Sequence, residues 1–479
     1  MAHNFVGVDR DQLFLMPPSV AEWLPEDHLA WFVLDAVDEL DLSAFVAAYR
    51  DDGRGGAAYH PAMMVGLLVY AYAIGERSSR RIQRRCVEDV PFRVIAANQA
   101  PDHATIARFR ATHADAIVGL FAQVLGLCAR AGVLRVGLLA VDGTKLAANA
   151  SQDANRTAEQ LAAEILAEAE VTDAAEDAAE AADDSVVADD VKSRGPRRRA
   201  RLRELLDELE TEAKAKSFEA HMERRAAQEA ETGRPVRGRP PKPDTARHRS
   251  RKHANTTDPQ SRLLPVKGGF MQGYNAQTMV TEDQYVVAVE VINQSNDAGS
   301  FAPMVRAAKT NLRRAGAKGR VRTVLADAGY FSEPNMNLAG VESLIAPGNV
   351  HKLRGINEEG KARSVVLARV EAGEITNDAA AQELGLTRGR VNHMLRERRA
   401  GRAESATTTM IAKLQSPRGK RLYKKRSASV EPVFAQIKHN RKIRTLSRRG
   451  LAAANSEWNL ITATHNLLKL WRHTNPAAL

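Results

Sequence analysis

The chain has 479 residues, enough for two to four domains at roughly 100–200 residues each, with ample buried core, which excludes a disulfide-stapled miniprotein. Its 69 Lys and Arg outweigh 58 Asp and Glu, a formal charge of +11, so long-range electrostatics favour a polyanionic partner, nucleic acid first. Two cysteines, Cys86 and Cys128, are too few for a disulfide framework and lack the spacing of a structural zinc site; a reducing cytosol fits.

Residues 1–133 read as a helical N-terminal domain, with apolar residues at three- and four-residue spacing over 31–49, 63–74 and 116–133. The most apolar stretch, 61–75, is 15 residues long. That falls short of the roughly 20 a bilayer requires, so no membrane span is expected. The N-terminus lacks a basic region leading into an apolar run and a cleavage site, so no secretory signal is expected either. Four arginines within 78–85, and Arg108 and Arg110 in a helix opened by the PDHAT segment, form either solvated faces or a DNA-contacting surface.

An apolar run, VGLLAV at 136–141, reads as a buried strand ending in Asp142. From 151 to 261 the character changes to a charged, helical or disordered insertion. Its 157–190 segment holds 12 acids and no basic residue, and 192–203 then holds seven basic residues in twelve. Within it, Arg237 and Arg239 of RGRP resemble an AT-hook, in which an extended segment lays arginines into a narrow A·T minor groove; a charged linker is the plainer reading.

Order resumes with a hairpin over 274–280 and 285–292, a helix over Phe301–Arg314 and a second apolar strand, VRTVLA at 321–326, that runs into Asp327. This is an α/β layout. Residues 346–408 form another insertion, in which NDAAAQEL, Gly385 and TRGRVNHMLR have the length and central glycine of a helix-turn-helix. Arg388, Arg390 and Asn392 fall near the start of its second helix, where base edges are read; a hairpin packing within the protein is the alternative.

Residues 411–449 hold 13 basic residues and one acid, Glu431, on an amphipathic helix that places Lys438 seven residues later on the same face. A plain intrahelical ion pair would explain little stability. Three carboxylates converging from Asp142, Asp327 and Glu431 would repel unless cations neutralise them. Two Mg²⁺ ions, with Mn²⁺ as a substitute, would suit such hard oxygen donors and in-line chemistry on a phosphodiester.

The segments LLAVDGTKLAANAS (138–151), GGFMQGYNAQTMV (268–280), TVLADAGYFS (323–332), LYKKRSASVEPVFAQIKHNRKIRTLSRRG (422–450) and EWNLITATHNLLKLW (457–471) together resemble the DDE transposases of bacterial insertion sequences, closest to the branch with a separate helical N-terminal domain. The resemblance implies a ribonuclease-H-like core built from 134–150, 262–345 and 409–479, with Asp142, Asp327 and Glu431 as catalytic, metal-binding triad. It also implies DNA contacts from Tyr423, Arg426 and Lys438. Four residues separate Arg426 from Glu431, where the broader signature has three. The implied partners are double-stranded DNA, as inverted repeats and target, and further copies of the chain, as a homodimer or higher oligomer on DNA; the implied location is the cytoplasm, at the nucleoid. A non-catalytic DNA-binding regulator, and a ribonuclease-H-like nuclease without strand transfer, are the competing classes.

Overall fold

The computed structural model describes residues 19–50, 57–167, 185–232, 253–348, 363–399 apart from 364 and 368, and 406–475. The RGRP segment with Arg237 and Arg239 lies outside them. The described N-terminal region is helical: α1 (Leu29–Asp38), α2 (Ser43–Val46), α3 (Pro61–Ala73), α4 (Ser79–Glu88), α5 (Val90–Ile95), α6 (His103–Thr112) and α7 (Ala114–Arg130). The single periodic run at 31–49 breaks into α1 and α2 because Asp41 leaves the helix. Its carboxylate accepts from the Ser43 N–H (2.9 Å), while Gln123 of α7 accepts from its backbone N–H (2.7 Å). Asp102 caps α6 as its sequence predicts, accepting from the N–H groups of Ala104 and Thr105. On α4, Ile82 and Cys86 are buried, and Arg81 and Arg85 pair with the buried Glu76, so half of that arginine cluster is structural. Among the described residues no single helix is long and apolar enough to cross a membrane.

The sheet follows. Strands β1 (Leu138–Ala147), β2 (Asn155–Arg156), helix α8 (Ser185–Thr232), β3 (Ala254–Asn255), β4 (Arg262–Val266), β5 (Gly269–Thr281), β6 (Val286–Ile292), helix α9 (Phe301–Arg314), β7 (Thr323–Ala326), the short α10 (Glu333–Met336) and β8 (Glu342–Ile345) come in that order. The main sheet runs β5–β1–β7–β8, with β4 and β6 pairing successive stretches of β5. β5 is antiparallel to β1, β4 and β6, whereas β1, β7 and β8 are parallel. A mixed sheet of this kind needs crossover connections on its parallel side, and α9 supplies one between β6 and β7. The apolar run alone predicted a strand closing at Asp142. Pairing with β5 carries β1 on to Ala147, so Asp142 sits mid-strand opposite Thr278.

Beyond β8 the chain forms α11 (Asn377–Leu384) and α12 (Arg388–Arg399), joined through Gly385 at φ 64°, a left-handed turn that glycine adopts without a Cβ penalty. Thr387 caps α12 by accepting from the Arg390 N–H, and a small core of Val366, Leu367, Ala380, Ala381, Val391 and Leu395 holds the unit. Then come α13 (Ala406–Gln415), α14 (Pro417–Tyr423), α15 (Lys425–Ala435), a π turn at Gln436–Asn440 and the long α16 (Leu451–Thr474). Pro432 lies inside α15 and has no N–H to give the Ala428 carbonyl one turn back. The Gln284 side chain, arriving from the β5–β6 turn, donates to that carbonyl instead (3.1 Å).

α16 is the central pin. It packs on α7, α3 and β6, and Trp458, Ile461 and Leu467 are buried along it; each aliphatic side chain so removed from water contributes about 1.5–3 kcal/mol. Asn466 grips β6 through both the N–H and the C=O of Val286, and His465 Nε2 meets the Gln284 carbonyl, so this pair is a core feature. Buried Glu457 accepts from Arg77 (3.0 Å), the Ser447 N–H and hydroxyl, and the Arg448 N–H, tying the N-terminal helices to the C-terminal segment. At the same junction Gly75 has φ 87°, and a Cβ there would lie 2.3 Å from the Arg441 carbonyl.

Candidate active site

β1 and β7 run parallel with Leu138 beside Thr323, Leu139 beside Val324 and Ala140 beside Leu325. Continuing that register by two residues sets Asp142 against Asp327. The two apolar runs thus deliver their aspartates to one end of adjacent strands, where the parallel ladder stops. Asp142 is largely buried, and burial, with the like charge of Asp327 behind it, raises its pKa to about 6 even though Arg426 pulls it down. Asp327 opens a short 3₁₀ turn, accepting from the Gly329 N–H at 2.9 Å.

The charge on this pair is met from α14 and α15. Arg426 donates to Asp142 Oδ2 at 3.0 Å. Burial works against the Arg426 charge, but Asp142, Tyr423 and Asp327 outweigh it and raise its pKa. Tyr423 donates its hydroxyl to the Ala326 carbonyl at 3.1 Å, pinning the last residue of β7 before Asp327. Glu431 lies five residues beyond Arg426 on α15, which is 140° around an ideal helix, and its side chain is exposed. Lys438 lies in the π turn that follows α15 and donates to the Lys145 carbonyl of β1 at 2.9 Å. Burial lowers its pKa, with Arg444 adding to the effect.

One flank of Asp142 opens into a groove walled by Gly143, Thr144, Lys145, Lys267, Lys438 and Arg444, with Pro265, Val266 and Met271 as its apolar part. Four cations and no carboxylate line it. On α12, Arg390 is exposed, whereas Arg388 pairs with Asp378 (3.1 Å) and Asn392 accepts from Asn377 (2.5 Å). Arg390 is thus the freest of the three candidate readers.

A third carboxylate, absent from the sequence reading, adjoins the pair. Asp297 accepts from Asn275 Nδ2 (2.6 Å) and Gln277 Nε2 (2.7 Å), and Tyr330 donates its hydroxyl to Gln277 Oε1. The hint in the sequence lay in β5, where Asn275 and Gln277, both buried, are amides at alternate positions on one face of the strand.

Residues 18–112 match the transposase domain family DUF772, and residues 387–471 match the transposase DDE domain family. Together the two matches support an insertion-sequence DDE transposase. No curated protein and no solved structure matches it. The DDE match covers Tyr423, Arg426, Glu431 and Lys438, whereas Asp142 and Asp327 precede it; Arg426 ties it in space to Asp142, and Tyr423 ties it to Ala326, the residue before Asp327.

The family generally uses a divalent metal, and the donors present were tested against that need. Among the described residues no three of His, Cys, Asp and Glu are grouped to hold a metal ion by themselves. Mg²⁺, however, is commonly held through one or two carboxylates, with water and substrate phosphate completing the shell. Asp142 and Asp327 fit that requirement as two neighbouring hard oxygen donors, and burial first, with the charge of Asp327 after it, keeps Asp142 protonated more readily than a free aspartate.

Proposed function

We propose that this transposase binds the terminal inverted repeats of its element, cleaves there by metal-dependent hydrolysis and joins the freed 3′-hydroxyls to target DNA. The observation that carries the reading is the pair Asp142 and Asp327, set two residues past the end of the parallel β1–β7 ladder, with Arg426 of the DDE-matched segment on Asp142. A ribonuclease-H-like core is supported by the strand order β6–β5–β1–β7–β8, in which a three-stranded antiparallel meander is extended by two parallel strands. In this reading residues 134–150, 262–345 and 409–479 make the catalytic core, 1–133 the N-terminal DNA-binding domain, and 151–261 and 346–408 the insertions.

Asp142 and Asp327 would hold the cation, with Glu431, the one acid of the basic segment 411–449, as the third carboxylate of the set. Divalent metal bound there supplies Lewis-acid activation of the phosphodiester and of the attacking water or 3′-hydroxyl. The chain's own residues do the rest. Tyr423 fixes the carbonyl before Asp327, Arg426 offsets the charge on Asp142, and Lys145, Lys267, Lys438 and Arg444 attract the strand's phosphates along the groove. Arg388, Arg390 and Asn392 of the helix-turn-helix would read bases in the major groove, and Arg237 and Arg239 the minor groove. Two ends must be paired before joining, so the working form is a dimer or larger assembly on DNA.

The test is a joining assay: full-length protein, labelled end DNA, supercoiled target and Mg²⁺. Labelled 3′ ends covalently joined to target are expected. Cleavage without joining would reduce the activity to a nuclease, and binding without cleavage would leave only a regulator.

A further inference from the structure

Asp297 lies in the loop after β6, outside the expected triad, and its surroundings are built around it. Its Oδ1 accepts two side-chain amides, from Asn275 and Gln277. Gln277 is buried and spends its other amide atom on the Tyr330 hydroxyl, and Tyr330 is itself buried three residues after Asp327. Each donor is thus committed, and the amides cannot swing away without stranding a buried polar atom. The carboxylate occupies the space that two glycines leave open. A Cβ on Gly143, directly after Asp142, would lie 2.5 Å from Gln277 Nε2, 2.8 Å from Asn275 Oδ1 and 2.9 Å from Asp297 Oδ1, and a Cβ on Gly329 would lie 3.0 Å from Asp297 Oδ2 and 3.1 Å from Asp327 Oδ1. Asp297 and Asp327 therefore face each other across the missing side chain of Gly329.

We propose that Asp297 is a positioning residue for the aspartate pair: its amide-anchored carboxylate fixes the backbone just after Asp142 and just after Asp327, and its charge strengthens the pair's hold on a divalent cation. This rests on the reading of Asp142 and Asp327 as the cation-binding pair. An apolar or amide group at 297 would fill the same space, so the need for glycine at both 143 and 329 follows from packing; the choice of a carboxylate, set against two other acids, does not. Like charges brought together in a partly buried place cost stability unless a cation offsets them. Partners that orient metal-binding side chains in this way typically change metal affinity about 10–100-fold when removed.

The experiment is Mn²⁺ binding to the full-length protein without DNA, followed by the electron paramagnetic resonance signal of free Mn²⁺, alongside thermal unfolding in EDTA. Asp297→Asn keeps the size and one acceptor oxygen and removes the charge; it should bind Mn²⁺ about tenfold more weakly, with an unfolding midpoint in EDTA no lower than that of the wild type. Gly329→Ala leaves Asp297 intact but pushes on its Oδ2, and should weaken Mn²⁺ in the same direction. Asp142→Asn and Asp327→Asn should abolish binding. Wild-type Mn²⁺ affinity in a folded Asp297→Asn protein overturns the proposal, as does wild-type affinity in Gly329→Ala should Asp297→Asn not fold. Wild-type affinity in Asp142→Asn and Asp327→Asn would instead overturn the underlying reading of the pair.

Discussion

Asp142 shows what the candidate site costs the fold. Its pKa is raised from 3.8 to about 6, chiefly by burial, so the folded chain prefers the protonated acid more than the unfolded chain does. The contribution of that preference is fully present below pH 3.8 and is lost as pH rises through about 6. Asn imitates the protonated form at every pH. In EDTA, Asp142→Asn should therefore unfold like wild type near pH 3.5 and be more stable at pH 8, by up to about 3 kcal/mol for a two-unit shift. Denaturant titrations of both proteins across that range measure it; a variant less stable than wild type at pH 8 would mean that Arg426 gains more from the ionised acid than burial takes away. Both aspartates were legible in the sequence because each follows an unbroken apolar run. Asp297 was not, since a polar loop carries no hydrophobic period to mark it, and its meaning comes only from amides on a distant strand.

At the scale of elements, period and punctuation were good guides wherever local chemistry decides. Phe301–Arg314 and Asn377–Leu384 have the bounds read from the sequence, the latter closed by Gly385 in the left-handed region. Where long-range pairing decides, they were not: β1 outlasts its apolar run because β5 is there to pair with it. The α11–α12 unit offers a test of its own. Arg390 is exposed, while Arg388 and Asn392 are engaged with Asp378 and Asn377 of the preceding helix. Arg390→Ala should cost about 1–3 kcal/mol against specific end DNA and much less against random duplex, in competition binding at fixed salt. Equal losses on both DNAs would make Arg390 a phosphate contact and the unit a basic module.

Over the whole molecule, α16 and its partners hold the two matched regions together. Glu457 clasps Arg77 of the N-terminal region, and buried Arg441 donates to the Tyr72 and Ile461 carbonyls and the Thr464 hydroxyl. That scaffold keeps Arg426 on Asp142 although 284 residues of chain separate them. The overall α/β layout and the helical N-terminal region were readable from the order of apolar segments; the junction was not, because buried charges such as Glu457 look like surface residues in a sequence. The central claim is that the Asp142–Asp327 pair performs the cutting. It is tested most directly by the rate of Mg²⁺-dependent cleavage of end DNA by Asp142→Asn, Asp327→Asn and Glu431→Gln, with end binding measured on the same preparations. All three should bind the ends and cut them no faster than background. A near wild-type cutting rate in Glu431→Gln would remove that residue alone from the set, and one in Asp142→Asn or Asp327→Asn would contradict the account.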